Sequence, residues 1–85
     1  MISFIFTKFA QKKFLKLDIE TQERIRTKMQ ELKHREQHGS FLKPLTNFAP
    51  ATHRLRVGAY RLILQQDSET DFIVLDIGHR SEIYK

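Results

Sequence analysis

The sequence predicts a small α+β fold of order βααβββ, with two N-terminal helices packed on one face of a mostly antiparallel four-stranded sheet. Three observations predict it. Apolar residues recur at helical spacing through residues 8–32, and they alternate with polar ones through residues 53–77. Turn-forming residues interrupt the alternating stretch at 58–59 and at 67–70. A chain of 85 residues has room for one core, so residues 1–85 are read as a single domain.

Residues 2–6 read as the first strand. Ile2, Phe4 and Phe6 alternate with Ile5, so cover is expected on part of both faces. Thr7 is placed to cap a helix over about residues 8–16, on which Ala10, Phe14 and Leu17 form one apolar stripe. Asp18 is placed to cap a second helix, with Glu20 and Glu23 near its positive end. Ile25, Met29 and Leu32 supply its buried face, and Gly39 is expected to end it. Residues 39–51 contain Gly39, Pro44 and Pro50 and read as a loop anchored by Phe41, Leu42, Leu45 and Phe48. Strands follow at 53–57, 60–66 and 71–77, the first two joined by a tight hairpin with Gly58 and Ala59 at its tip.

Composition excludes several classes. There is no cysteine, which removes disulfides, thiolate nucleophiles and cysteine-ligated zinc or iron–sulfur clusters. His34 and His38 stand at helical i,i+4 spacing but have no third clustered ligand, and no metal or other cofactor is expected. Gly58 and Gly78 are isolated, so no glycine-rich phosphate loop exists. No apolar run approaches the length of a membrane span, and residues 1–6 read as a strand rather than a signal peptide, so the expected compartment is the cytoplasm. The formal net charge is +5, which favours nucleic acid or an acidic protein as partner, or simply keeps the chain soluble.

The register of the meander decides what its arginines can do. If residue 57 pairs with 60 and residue 66 with 71, one sheet face holds His53, Leu55, Val57, Leu62, Leu64, Ile73, Leu75 and Ile77. The other holds Arg54, Arg56, Arg61 and Ile63, with Asp76 opposite Arg61 and Phe72 placed to stack on a base. Three clustered arginines repel one another until a polyanion binds, because phosphate oxygens accept charge-assisted, often bidentate bonds. Three readings stay open from the residues alone: a solvated face with an Arg61–Asp76 pair, a phosphate-backbone site, or a docking site for an acidic protein segment. His79, Arg80 and Tyr84 follow the last strand and offer further charge and proton-transfer groups, and each also fits an ordinary surface position.

The stretch His53-Arg54-Leu55-Arg56-Val57-Gly58-Ala59-Tyr60-Arg61-Leu62-Ile63 resembles the "RLRVGDYR" hairpin of the RelE/ParE toxin superfamily of type II toxin–antitoxin systems. Gly78-His79-Arg80 followed by Glu82-Ile83-Tyr84 resembles its terminal "GHRxEVY" segment, and Leu42-Lys43-Pro44-Leu45 resembles its "xKPL" loop. The order of elements is similar as well, so the resemblance covers nearly the whole chain and implies a RelE-like fold. Ala59 departs from the usual Asp of the hairpin, a change expected to alter the turn more than the chemistry.

The resemblance implies a toxin, closest to the branch of ribosome-dependent messenger-RNA endonucleases, that needs no metal. In that reading Arg61 is the central phosphate-contacting group and Arg54 and Arg80 hold the backbone. Tyr84 moves a proton or fixes the nucleophile, Arg56 positions RNA or is structural, and His79 shares with Arg80 the match to the late basic, RNA-contacting position. The implied partners are a cognate antitoxin, the ribosome with messenger RNA in its A site, and operator DNA through the antitoxin complex, with no membrane. Two alternatives accompany it: ParE-like inhibition of DNA gyrase, and a catalytically silent protein that binds antitoxin in transcriptional autoregulation.

Overall fold

A computed structural model describes residues 2–33 and 42–83. Its elements are β1 (Ser3–Phe6), α1 (Lys8–Leu15), α2 (Ile19–Lys33), β2 (Leu42–Pro44), β3 (His53–Val57), β4 (Tyr60–Gln66), β5 (Asp71–His79) and α3 (Arg80–Ile83). The predicted α+β class and element order are present, with two additions. The 39–51 loop contributes a short edge strand, β2, and a turn of helix, α3, follows the last strand. The five strands form one mixed sheet in the order β1-β5-β4-β3-β2, with β1 parallel to β5 and the other pairs antiparallel.

The helices start and pack where their sequence requires. The Thr7 hydroxyl accepts the Ala10 amide at 3.1 Å, capping α1. Ala10 and Phe14 of α1, and Ile25, Met29 and Leu32 of α2, are buried against Leu55, Leu62, Leu64, Val74 and Ile77 of the sheet. Gln22 is the buried polar residue of this layer, and its amide donates to the Leu17 carbonyl at 2.9 Å, satisfying an orphan acceptor at the helix corner. Cover is one-sided at β1: Ile2 is buried, whereas Ile5 is 53% exposed, contrary to the expectation of cover on both faces. The expected stop at Gly39 lies outside the described residues, as do His34, His38 and Phe41.

The first hairpin has the predicted register, with Val57 opposite Tyr60 and Leu55 opposite Leu62. Gly58 takes φ +60° in open space and Ala59 stays at negative φ, the pattern of a type II′ turn with glycine first. Ala59 therefore suits the second turn position without strain.

The second pairing differs from expectation. Gln66 faces Phe72, not residue 71, because the Ser68 hydroxyl accepts the Thr70 and Asp71 amides and draws Asp71 into the turn. A bulge then leaves Leu75 as an extra residue: Leu64 faces Val74, and Ile63 faces Asp76. Near the turn, Phe72 and Val74 thus take the core positions assigned to Ile73 and Leu75. Phe72 is 4% exposed and packs against the rings of Phe4 and His53, so it is a core residue and cannot stack on a base. Past the bulge the parity is restored: Ile77 is on the core face as expected, but it, rather than Leu75, lies opposite Leu62.

Candidate nucleic-acid interface

Strand alternation sorts the sheet into rows. Leu42, Leu55, Leu62 and Ile77 stand opposite one another, and all four are buried beneath the helices. The adjacent row is Lys43, Arg54, Ile63 and Asp76, and on the same face the next is Arg56, Arg61 and Gly78. Burial of the leucines turns the basic rows away from the core. Arg54, Arg56 and Arg61 are thereby brought together on one face, as the sequence predicted.

Lys43 is a fourth cation of this face that sequence reasoning assigned no role. Its signal lay in the three-residue strand Leu42–Pro44, where a buried Leu42 forces its neighbour outward. Ile63, only 4% exposed, is the apolar floor between Arg54 and Asp76. Arg54 and Arg61 are half-buried beside it, and Lys43 and Arg56 are exposed. Gly78 stands opposite Arg61 and presents no side chain to it.

Asp76 does not face Arg61. It faces Ile63, and its carboxylate accepts Lys13 Nζ of α1 at 2.6 Å and the Ile77 amide at 2.8 Å. Beyond Val74, β5 has no β1 neighbour, and this open stretch is where Lys13 reaches it. The one carboxylate in the basic rows is thus engaged by a lysine from a helix.

The described histidines are elsewhere. His53 stands opposite Leu64 in a core-side row, with Nδ1 2.9 Å from the Thr52 hydroxyl. Burial pushes its pKa below the ordinary value, favouring the neutral ring. His79 stands opposite Tyr60, in the row that also holds buried Val57, and so falls on the helix-side face rather than with the arginines. Arg80 begins α3, and its backbone amide donates to the Ala59 carbonyl at 2.8 Å, which ties it to the hairpin tip two residues from Arg61. Tyr84 lies outside the described residues. Among the described residues no three metal-ligating side chains cluster, and no helix is long and apolar enough to cross a membrane.

Four cations on one twisted face, two of them half-buried over an apolar floor, can grip a polyanion backbone while holding guanidinium groups in fixed positions. Residues 4–84 match the family profile described as the ParE toxin of the type II toxin–antitoxin system parDE. No match is found among curated proteins. Among solved structures, the isolated E. coli RelE toxin is similar at 25% identity and TM-score 0.68, over 99% of this chain and 92% of that one. A chain of the RelBE2 toxin–antitoxin complex from Mycobacterium tuberculosis is 26% identical, with TM-score 0.63 over 93% of this chain and 98% of that one. A chain of the intact E. coli RelBE complex shares the fold at 22% identity and TM-score 0.67, over 93% of this chain and 96% of that one.

Proposed function

Because this chain belongs to the ParE toxin family of type II toxin–antitoxin systems, within the RelE/ParE superfamily, we propose that it inhibits translation as a ribosome-dependent messenger-RNA endonuclease. The observation that carries this reading is the pair of basic rows, Lys43 with Arg54 and Arg56 with Arg61, on the sheet face away from the helices. In the reaction the ribose 2′-oxygen attacks the adjacent phosphorus, and the 5′-oxygen leaves and takes up a proton. A cyclic phosphate and a 5′-hydroxyl result. Arg61 stabilises charge on the phosphate in the transition state. Arg54 and Arg80 hold the backbone, Arg56 and Lys43 position it, and Tyr84 moves a proton or orients the nucleophile.

Dependence on the ribosome is supported by where the described histidines and Asp76 lie. By register neither described histidine is on it, and its carboxylate is held by Lys13. A ribosome that orients the 2′-hydroxyl in line with the leaving oxygen supplies an advantage worth several kcal/mol. Purified protein is therefore expected to cut messenger RNA in the A site of programmed ribosomes, read by toeprinting, and to cut naked RNA slowly or not at all. Equal cleavage of both at the same sites would remove the mechanism.

The partner in the resting state is a cognate antitoxin with an elongated acidic or amphipathic segment, through which the pair reaches operator DNA. Apolar anchors would supply most of the affinity and contacts to arginine its register. Co-expression with a neighbouring small open reading frame is expected to yield a tight pair. Absence of any such partner, together with harmless overexpression, counts against an intact toxin.

Inhibition of DNA gyrase through protein contacts is the second reading. The observation favouring it is that the matching family profile is the ParE one. Toxicity without cleavage, with gyrase trapped on DNA, would move the assignment there.

A further inference from the structure

The corner where β5 runs into α3 has its own hydrogen bonds, outside the basic rows. His79 is the last residue of β5, immediately before the first residue of α3. Its Nδ1 accepts the Ser81 amide at 3.2 Å and lies 2.8 Å from the Ser81 hydroxyl. An N-cap side chain makes this same bond to the second residue of a helix. Nδ1 has a single lone pair, so accepting the Ser81 N–H requires it to be unprotonated, with the ring proton on Nε2. The ring also stands edge-on to Tyr60, with centroids 5.6 Å apart. The first amide of α3, that of Arg80, is taken by the Ala59 carbonyl at 2.8 Å. Two of the orphan donors of α3 are thus satisfied, one by the hairpin tip and one by His79.

We propose that His79 is a positioning residue: it caps α3 through Nδ1 and so holds Arg80 against the tip of the β3–β4 hairpin, and it does not contact RNA. This rests on the nuclease reading for its consequence in cleavage, but the capping itself is a property of the free protein. It also reassigns the residue, since the resemblance alone implied an RNA contact. The side chain projects from a core-side row, and its Nδ1 is engaged by Ser81.

Three variants separate capping from charge and from ring packing. His79→Asn puts Oδ1 where Nδ1 stands, so the cap is kept and the ring is lost. His79→Arg supplies a phosphate-binding cation and loses the cap. His79→Phe keeps the ring against Tyr60 and loses the cap. The free protein is examined by nitrogen NMR of the His79 ring and by amide exchange at Arg80 and Ser81. The same proteins are then compared in single-turnover cleavage on programmed ribosomes at saturating toxin.

The ring is expected to show an unprotonated, hydrogen-bonded Nδ1. Exchange at Ser81 is expected to be about fivefold faster in the Phe and Arg variants and near wild type in Asn. Cleavage is expected to follow the same order, with Phe and Arg about tenfold slower. Cleavage retained by Arg and lost by Asn would make His79 a phosphate contact and overturn the proposal. Equal exchange in all four proteins would overturn it irrespective of activity. If the wild type leaves ribosome-bound RNA intact, the nuclease reading falls, and the exchange order alone decides whether His79 holds Arg80.

Discussion

Arg61→Ala is expected to slow cleavage of ribosome-bound messenger RNA by about a hundredfold or more, while Arg56→Ala leaves the bound reaction close to wild type. The two residues are directly opposite one another on β4 and β3, and each substitution removes one positive charge, so bulk electrostatics cannot separate them. Position can. Arg61 is half-buried with Gly78 on its other side, whereas Arg56 is exposed. A guanidinium held in place before reaction pays no reorganisation when charge develops, and losing such a donor costs roughly 3–4 kcal/mol. An exposed backbone contact contributes to ground-state and transition-state binding alike, so its loss weakens binding more than it slows the bound step. Arg61→Lys is a useful third protein, because it keeps the charge but loses the planar fork that meets two phosphate oxygens. It should recover only part of the rate. The measurement is single-turnover cleavage at saturating toxin, with thermal melting of each variant to separate chemistry from packing of the arginine stem. Comparable rates for folded Arg61→Ala and Arg56→Ala would end the special role of Arg61.

How far that site was legible in the sequence depends on which interactions are local. The hairpin between β3 and β4 closes over two residues, and its glycine and alternating leucines specify one register; a slip would expose leucines and bury arginines. The grouping of Arg54, Arg56 and Arg61 was therefore readable. The next pairing was not. Phe72, Ile73, Val74, Leu75, Asp76 and Ile77 contain apolar residues of either parity, so alternation alone could not reveal that Ser68 would draw Asp71 into the turn or that Leu75 would bulge. Plain alternation therefore puts Phe72 on the arginine face and Asp76 opposite Arg61, where the structure does not.

Three other features escaped because nothing local encodes them. The Lys13–Asp76 ion pair joins residues 63 positions apart, across the docking of α1 on β5. β2 is three residues long with Pro44 at its end, too short for periodicity to register, though Pro is at home on an edge strand. It is the antiparallel pairing with β3, set by the burial of Leu42 opposite Leu55, that brings Lys43 into the basic face. The N-cap role of His79 is likewise invisible without the helix it caps, because histidine is not among the residues that ordinarily signal a helix start.

The bulge itself carries the other large expected effect. Leu62→Ala should cost roughly 2–5 kcal/mol of folding stability, whereas Leu75→Ala, at a position that plain alternation places in the same core row, should cost about 1 kcal/mol or less. Leu62 is 0% exposed, between Leu55 and Ile77 and beneath the helices, so truncation leaves a cavity that backbone pairing on both sides prevents from collapsing. Leu75 is the extra residue of the bulge and only half-buried, so its truncation is relieved by solvent. A domain of this length has about 4–13 kcal/mol in total, so the first substitution can remove half of it. Urea unfolding of the free protein reads the difference through the midpoint at constant slope. Should Leu62→Ala be too unstable to purify, Leu62→Val still removes a buried methylene and should cost about 1 kcal/mol, against a few tenths for Leu75→Val. Equal losses at the two positions would mean that Leu75 faces the core. The bulge would then be absent, and with it the parity shift that takes Phe72 away from the arginines.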